Sequence, residues 1–556
     1  MTEDIHQGAE VGGEGRAPER SEASAAPGRA RGPLFGVLSV SAYAVVALAV
    51  AVVVRLRTPG IPGYDSFYHF RHAQLYSELG IWMREFPWIV YSTMSRFAGD
   101  IGYGFHFFLI PFTFVRDEML GMKLAAACET AVVLVLLYVV LRRHQIAYAA
   151  AWPFLLLFIG GPITYTFVMT RPQTLTMGFS ALLLSFMVTG SAWGVLAASF
   201  LLAFFHLNAF AVVPVIVVGA AVVKRVVESQ WEWWKYAAAL GGIVLAWAVR
   251  PNPIGVAKLE YHQVIVHETA RYAQLPLLFG REWDPVPTSA LGAFAVALVL
   301  WGAAAIAIMA AGESRKLAPA PHDRTLAWSS MVLSALFFAV AVGSTKRVTP
   351  LWATCAAIVP AVAFTLLFER GRDGEGPLLG RGARVGATCV LAVVLGGLMW
   401  NGLRANAAHT TWTSSTQYRP KAPAEWLRDN GRDGEIIYNV NWSTFAELFF
   451  WNSADYYVSG LDPVFLYAYD PQLYWKFHHL ATGTASAVTY GDLARSPSAA
   501  VDTYAFVHDE LRASHIVVDH ARNASFEGYL RSDPRFTSAF DDGTVAIYAV
   551  GELAAE

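Results

Sequence analysis

Charge is scarce in this chain of 556 residues: Asp, Glu, Lys and Arg together supply 15% of it, whereas 55% of the residues are hydrophobic. That balance excludes an ordinary soluble enzyme and predicts many apolar runs of bilayer length. The net charge is only −2, so neither a nucleic-acid-binding surface nor an acidic tail is indicated. The three cysteines, Cys128, Cys355 and Cys389, lie inside apolar runs, which argues against disulfides and zinc.

The first 32 residues are rich in Ala, Gly, Glu, Arg and Pro and have no apolar period, which is typical of a disordered tail. A run long enough to span a bilayer follows at 34–54. Arginines precede this run, at Arg16, Arg20, Arg29 and Arg31. The positive-inside rule therefore predicts a cytoplasmic tail and places the next loop, 57–104, outside.

Ten further apolar runs bring the predicted number of transmembrane helices to about eleven. After the first, they cover 119–141, 146–163, 174–190, 192–205, 207–223, 234–249, 287–311, 326–343, 350–368 and 386–404. This alternation leaves the loops around 170–173, 250–285 and 345–347 on the external side. The apolar stretch 105–114 is too short to cross and is predicted to be re-entrant or interfacial.

After residue 404 the chain becomes polar and alternates strand-like with helix-like segments. The strand-like runs are 435–438, 515–518 and 544–548, and the helix-like segments are 422–429 and 471–480. This pattern predicts a small α/β domain over 405–556. An odd number of transmembrane helices places that domain outside, on the same side as the loop 57–104.

The stretch 59–76 opens the first external loop with two Pro-Gly pairs, which prevent regular structure there. Asp65 and Ser66 can then cap a short helix. The apolar side chains of that helix, Phe67, Phe70, Leu75 and Leu79, fall near one face, which is predicted to lie on the membrane surface.

Four segments together resemble the GT-C superfamily, integral-membrane glycosyltransferases that use polyprenyl-phosphate-linked sugars, and within it the catalytic subunits of oligosaccharyltransferases. These are residues 63–71 (GYDSFYHFR), 102–106 (GYGFH), the external loop 161–173 and the segment 425–443 that opens the external domain. The order of one transmembrane helix, a long external loop, ten further helices and an external α/β domain is similar too. The resemblance implies a GT-C-like transmembrane domain over 33–404.

The chain departs from oligosaccharyltransferases at two motifs. Those enzymes carry an acidic pair in the second external loop that helps to hold a divalent metal, whereas this chain has TRPQ at 170–173. They also read their acceptor with a WWDYG motif, where this chain has NWSTF at 441–445. Both differences argue against protein N-glycosylation and leave a divalent metal as an open possibility. The chain looks more like a poorly characterised bacterial branch of the superfamily, with RPQ at 171–173, HLN at 206–208 and NPIG at 252–255.

Transfer of a sugar from a lipid phosphate needs a base for the acceptor proton and cations for the leaving phosphate. Asp65 is the predicted base, with His69 one helical turn away on the same face and Tyr64 beside it. The alternative for Asp65 is a helix cap, which would depress its pKa. The alternative for His69 is an anchor to lipid headgroups.

Arg171 is the predicted partner of the leaving phosphate because a guanidinium binds phosphate in a bidentate manner. Gln173, Arg250, Lys346 and Arg347 are further candidates for binding the substrate. The alternatives for the cations are side chains at helix ends that reach lipid headgroups.

Two polar residues, His206 and Asn208, lie within an apolar hairpin and mark either the active cavity or contacts between helices. A carboxylate of the late external loop completes the site in some relatives. The candidates here are Glu268, Glu282 and Asp284, for which loop salt bridges in water are the alternative.

The sequence therefore predicts a multi-pass enzyme of the plasma (inner) membrane. It would move a hexosyl or pentosyl group from a polyprenyl-phosphate donor to a glycan, lipid or protein acceptor on the external face. No cofactor is certain, and nucleic acid is not an expected partner. Two other functions stay open: an inactive GT-C-like scaffold of a cell-envelope assembly, and a transporter or flippase of lipid-linked sugars. A transporter predicts repeated halves and charges at the bilayer midplane, but within the predicted transmembrane helices Glu129 is the notable charge.

Overall fold

The computed structural model describes residues 33–313, 321–368, 380–417 and 420–551. The predicted tail 1–32 lies outside these residues. The first part of the chain is helical. Its helices are α1 (Pro33–Arg57), α2 (Asp65–Leu79), α3 (Thr93–Phe97), α4 (Tyr103–Thr113), α5 (Glu118–Arg143), α6 (Trp152–Phe158), α7 (Gly161–Val168), α8 (Pro172–Thr189), α9 (Ala192–Phe205), α10 (Val212–Glu228), α11 (Trp234–Ala248), α12 (Pro253–Glu260), α13 (His267–Tyr272), α14 (Ala295–Glu313), α15 (Pro321–Gly343), α16 (Thr349–Phe368) and α17 (Arg381–Gln417).

Every predicted transmembrane run contains helix, and within the described residues five helical segments are long and apolar enough to cross a membrane. These are Val37–Arg57, Glu118–Arg143, Thr288–Met309, Arg324–Gly343 and Lys346–Thr365. The run 146–163 divides into α6 and α7, because Gly160 has extended backbone between them. The total of eleven transmembrane helices stays a prediction.

Local chemistry fixes where these helices begin and end. The Asp117 side chain caps α5 by accepting a hydrogen bond from the Leu120 N–H at 3.1 Å, and Arg142 and Arg143 lie in its last turn. The negative charge of Asp117 lies at the positive end of the helix dipole, and the two arginines lie at its negative end. Helix α8 begins with Pro172 in its first turn, so Arg171 stays extended just outside the helix.

The C-terminal part contains a five-stranded sheet with helices around it. The strands of this part, five in that sheet and two in a separate one, are β1 (Ile436–Asn439), β2 (Tyr456–Tyr457), β3 (Val488–Tyr490), β4 (Ala500–Asp502), β5 (His515–Asp519), β6 (Phe536–Asp541) and β7 (Val545–Val550). The helices are α18 (Lys421–Asn430), α19 (Phe445–Trp451), α20 (Pro463–Tyr469), α21 (Pro471–Ala481), α22 (Thr503–Ala505) and α23 (Ala524–Ser532).

The order of the main sheet is β2-β1-β5-β7-β6, and β3 pairs with β4 in a separate two-stranded sheet. Strand β1 runs parallel to β2 and β5, whereas β7 is antiparallel to β5 and β6. The three strand-like runs of the sequence correspond to β1, β5 and β7. Helix α17 continues to Gln417, so the helical part extends beyond the predicted boundary at 404/405.

Helix α2 does not lie with its apolar face exposed to a membrane surface, as its pattern had suggested. Phe67 and Phe70 are fully buried, and their rings lie 5.3 and 6.4 Å from that of Phe450 in α19. Leu79, at the end of the helix, is exposed. An apolar helix face suits lipid and protein equally, and here the C-terminal part covers most of it.

The first loop also joins the edge of the main sheet. The Tyr457 N–H donates to the Trp88 carbonyl at 2.8 Å, and the Val90 N–H donates to the Tyr457 carbonyl at 2.9 Å. The Trp88 indole donates to the Ser453 carbonyl at 2.9 Å. This pairing covers the edge strand β2 and fixes the loop 57–104 against the C-terminal part.

Candidate active site

The turn before α2 brings Asp65 next to Arg171. Gly63 has a φ of +81°, and a Cβ at this position would lie 3.4 Å from the Arg171 Nε. Glycine therefore serves both the left-handed backbone and the close approach. The N-cap of α2 is Tyr64 rather than Asp65, and the Ser66 hydroxyl donates to the Pro62 carbonyl. The carboxylate of Asp65 is thus not used as a helix cap.

Two carboxylates and two guanidiniums alternate in a continuous chain of ion pairs. The Arg171 Nη2 lies 2.7 Å from the Asp65 Oδ2, and its Nη1 donates to the Glu282 Oε2 at 2.9 Å. The second Glu282 oxygen, Oε1, lies 2.9 Å from the Arg347 Nη2. The Arg347 guanidinium also stacks 4.0 Å above the Trp283 ring. The four side chains come from four loops that are far apart in the sequence and were all predicted to be external. These loops therefore meet at one point.

The two carboxylates of this chain differ in basicity. Burial raises the pKa of Asp65, and Glu282 adds to that rise although Arg171 opposes it. Burial also opposes ionisation of Glu282, but Arg347 and Arg171 outweigh it and lower the pKa of Glu282 to about 2. Asp65 is accordingly the more basic carboxylate, and Glu282 is a fixed negative charge.

A second chain, of imidazoles, begins at His69, one helical turn from Asp65 on α2. The His69 Nδ1 and the His106 Nε2 are 2.7 Å apart, and the His106 Nδ1 lies 2.7 Å from the Asp100 Oδ2. The Tyr76 hydroxyl donates to that oxygen at 2.5 Å, and the Gly102 N–H donates to the other carboxylate oxygen at 2.8 Å. Asp100 is therefore hydrogen-bonded through both oxygens.

Burial and the neighbouring charges favour the neutral form of His69. Burial lowers the pKa of His69, and His106 and Arg171 lower it further. Burial favours protonation of Asp100, but His106 and His72 outweigh it and hold its pKa below the usual range. The result is a neutral imidazole at the end of a chain that begins with a carboxylate.

The two chains meet at a cavity of about 90 Å³, the central cavity. Its polar lining residues are Asp65, Tyr68, His69, Gln173, His206, Gln263, Glu282, Arg347 and Asp462. The side-chain amide oxygens (Oε1) of Gln173 and Gln263 are buried and accept no hydrogen bond from the part of the chain described. Unused polar atoms in a cavity that also holds acid, base and cation are suited to a polar ligand.

Of the thirteen predicted site residues, six line the central cavity, and Arg171 is ion-paired with two of those six. His206 follows α9, and its Nδ1 lies 3.2 Å from the Thr176 hydroxyl. The main chain of Asn208 continues in a short 3₁₀ turn, but its side chain lies outside the described atoms. Lys346 follows the turn that carries Thr345, and its N–H donates to the Asp284 carbonyl.

Other predicted residues lie elsewhere. Tyr64 lines a smaller cleft against the C-terminal part, together with Asn441, Glu447 and Arg522, and burial raises the pKa of Glu447. Arg250 is buried and donates to the backbone carbonyls of Asp100, Ala203 and Phe204 at 2.7–3.0 Å.

The hydrogen bond from Arg250 to the Asp100 carbonyl braces the loop that carries Asp100.

Glu268 lies 3.7 Å from Arg271 and 3.5 Å from His267, away from the lining of the central cavity.

One group of side chains has the composition of a metal site. The ligand atoms of His72, Asp100 and His106 all lie within 4.8 Å of one another. The His72 and His106 rings stack at 4.2 Å, and the His72 Nε2 lies 3.8 Å from the Asp100 Oδ2. Between Asp65 and Glu282, by contrast, the available position is taken by the Arg171 guanidinium.

Sequence reasoning missed Asp100, His106 and Asp462 as site residues. His106 belongs to the GYGFH segment, so a polar residue one turn into an apolar stretch was the available signal. Asp462 precedes Pro463 and caps α20 through the Val464 N–H, and burial raises the pKa of its carboxyl to about 7. Its sequence pattern is that of an ordinary helix cap.

No protein-family model matches the sequence, and no curated protein matches it either. Solved structures do. The oligosaccharyltransferase of Archaeoglobus fulgidus, tethered with an acceptor peptide containing the NVT sequon, has a TM-score of 0.55 and 11% identity, covering 94% of this chain and 75% of that one. The Archaeoglobus fulgidus enzyme AglB, in complex with an inhibitory peptide and a dolichol-phosphate, has a TM-score of 0.53 and 12% identity over the same shares.

ArnT from Cupriavidus metallidurans bound to undecaprenyl phosphate has a TM-score of 0.54 and 13% identity, covering 93% of this chain and 98% of that one. These three structures are of oligosaccharyltransferase and ArnT, which are membrane glycosyltransferases of the GT-C superfamily. The chain has the GT-C fold. In the part of the chain that the structure describes, five helices long and apolar enough to cross a membrane support a membrane location.

Proposed function

We propose that this protein is a glycosyltransferase that moves a sugar from a polyprenyl-phosphate donor to an envelope or secreted acceptor on the external face of the inner membrane. The observation that carries the proposal is the pairing of Asp65, which lines the central cavity, with Arg171, while Arg347 lines the same cavity. Structural neighbours bound to undecaprenyl phosphate and dolichol-phosphate support the class of donor.

The ion-paired groups match the charges of such a reaction. The acceptor hydroxyl oxygen forms a bond to the anomeric carbon of the sugar, and its proton passes to the Asp65 carboxylate. The bond between that carbon and the phosphate oxygen breaks, and its electron pair leaves with the polyprenyl phosphate. Arg171 and Arg347 stabilise the charge that develops on the phosphate.

The donor phosphate also explains how Asp65 becomes available. In the structure Arg171 is shared by Asp65 and Glu282. A phosphate that takes one face of this guanidinium weakens its pairing with Asp65 and so increases the basicity of that carboxylate. Glu282 keeps Arg171 and Arg347 in place because it remains ionised.

The test is glycan and lipid-linked sugar profiling in a deletion strain complemented with wild-type protein or with Asp65→Asn. The asparagine retains the shape but not the charge, and we expect transfer to fall by about 10²- to 10⁴-fold at normal expression. The matched control is Asp429→Asn, which removes an exposed carboxylate of the C-terminal part.

Equal product from wild type and Asp65→Asn would remove Asp65 from the mechanism. A deletion strain with an unchanged glycan profile but a defective envelope would favour the inactive scaffold. Accumulation of the lipid-linked sugar on the cytoplasmic face would favour the transporter.

A further inference from the structure

The long external loop 250–285 contains a continuous helix over residues 253–272, the loop helix. It consists of α12, a π-helical turn over Tyr261–Val266 and α13. The Asn252 side chain caps its start by accepting a hydrogen bond from the Gly255 N–H at 3.0 Å. A helix of this many residues is about 30 Å long, so it can lie across several neighbouring helices.

The loop helix carries apolar side chains on both of its faces. On the inner face, Val256, Leu259 and Ala270 are buried. On the outer face, four large side chains stay 49–93% exposed in the part of the chain described: Ile254, Tyr261, Ile265 and Tyr272. They recur at intervals of seven, four and seven residues, which places them along one stripe. A helix that is apolar on two faces is expected to be covered on both.

Both ends of the loop helix are tied to the ends of bundle helices. Arg250, just before it, donates to the Ala203 and Phe204 carbonyls at the end of α9 at 2.7 and 3.0 Å. Arg271, in its last turn, donates to the Ser344 carbonyl directly after α15, which contains one of the segments able to cross a membrane. The loop helix therefore runs across the ends of these helices, along the membrane surface.

The inner face of the loop helix is turned toward the C-terminal part. Its π-helical turn packs on α20, and α12 packs on α3 of the first loop. Gln263, within that turn, is buried and lines the central cavity together with Phe465 of α20. The outer face consequently points away from the C-terminal part, at the level where the bundle helices end.

The exposure of the outer face matches that of a surface that meets lipid. In the segment Thr288–Met309, which is long and apolar enough to cross a membrane, Val299 is 69% and Ile306 is 65% exposed. Tyrosine is enriched where a membrane meets water, because its ring is apolar and its hydroxyl is polar. A stripe of two tyrosines and two isoleucines at the ends of bundle helices therefore fits the lipid–water interface.

We propose that the loop helix lies in the external lipid–water interface, with its outer face inserted among phospholipids. The helix then separates the bilayer from the central cavity, because Gln263 reaches the cavity from the opposite face. Contact with the bilayer fixes the height of the cavity relative to the lipid phosphates. The inference concerns the seating of the protein and does not depend on the proposed transfer reaction.

The first test uses full-length wild-type protein in vesicles of phosphatidylethanolamine and phosphatidylglycerol. The vesicles contain a phospholipid with a photoactivatable diazirine near the headgroup end of one acyl chain, and mass spectrometry locates the adducts. We expect adducts on 253–272 and on 288–309 but not on 488–502, the two-stranded sheet of the C-terminal part. Adducts on 288–309 without any on 253–272 would overturn the proposal.

The second test measures depth with a nitroxide label in full-length protein whose three native cysteines are changed to alanine. The label is attached to Ile265→Cys, to Val299→Cys as the lipid control or to Leu493→Cys as the water control. Its accessibility to oxygen and to a water-soluble nickel chelate is measured in the same vesicles. We expect the label at 265 about 5–10 Å below the lipid phosphates, the label at 299 deeper and the label at 493 in water.

Two results of the second test contradict the proposal. In one, the label at 265 is as accessible to the nickel chelate as the label at 493, which places the outer face in water. In the other, the label at 265 is shielded from both reagents, which assigns the outer face to a second copy of the chain. If the protein without cysteines does not fold, the adducts on wild-type protein decide alone.

Discussion

Two groups of polar side chains at the central cavity are held in place by different interactions. Asp65, Arg171, Glu282 and Arg347 form ion pairs whose charges cancel. His69 and His106 instead form a chain of hydrogen bonds that leads to Asp100. Ion pairs can change partners when a charged ligand arrives, whereas a hydrogen-bonded chain between packed helices holds its members in place. The ion-paired group is therefore the part of the cavity that can rearrange around a charged ligand.

The largest effect on this contrast is expected from Arg171→Met. It removes the cation that both carboxylates share and leaves the donor phosphate without its nearest guanidinium. Transfer should fall by about 10³-fold, and the initial rate with a saturating donor measures it. Arg171→Lys keeps the charge but not the planar fork, so its rate should lie between those of Arg171→Met and wild type. Equal rates for all three proteins would exclude a role for Arg171 with the phosphate.

A smaller loss is expected from Arg347→Met, which breaks only the far end of the ion-paired chain. Its guanidinium pairs with Glu282 and stacks on Trp283, but it does not contact Asp65. We predict a loss of about 10²-fold in rate. A loss larger than that of Arg171→Met would reverse the order of the two cations and place the phosphate near Arg347.

Chelation should change the rate by less than about twofold. The Arg171 guanidinium already supplies positive charge between Asp65 and Glu282, where a divalent ion would otherwise be needed. The measurement is transfer after dialysis against EDTA, with and without added Mg²⁺ or Mn²⁺. A loss that either ion restores would assign the leaving-group charge to a metal.

The smallest effect concerns stability. Asp462 lines the cavity with a pKa raised to about 7, and its side chain caps α20. Because the folded pKa lies above the unfolded one, ionisation of Asp462 costs stability that grows from about pH 4 to pH 7 and then stays constant. Asp462→Asn keeps the cap, so it should melt at a higher temperature than wild type at pH 8 and at the same temperature near pH 4. A constant difference across this range would show that burial of the charge is not the cause.

The helices and the ion-paired group were largely predictable from sequence, but of the imidazole chain only His69 was predicted. Apolar runs and their loop charges made Asp65, Arg171 and Arg347 candidates, because each lies at a break in hydrophobicity. His106 was marked only as a polar residue in an apolar stretch, and no local pattern marks its partner Asp100.

The amphipathic pattern of α2 was interpreted incorrectly for a related reason. Phe67 and Phe70 are buried by α19, which the chain reaches only after the last long helix. Hydrophobicity records that a face avoids water but not what covers it. The same limit explains why Asp65 was considered as a helix cap, since only the long-range contact with Arg171 shows its actual partner.

The pairing of Trp88 with the segment that follows α19 joins positions 365 residues apart. During synthesis the loop that carries Asp65 leaves the ribosome long before the sheet edge that holds it. The ion-paired side chains Asp65, Arg171, Glu282 and Arg347 are also made early, but Asp462 and the sheet edge follow them. The lining of the central cavity is therefore complete only when translation is nearly finished.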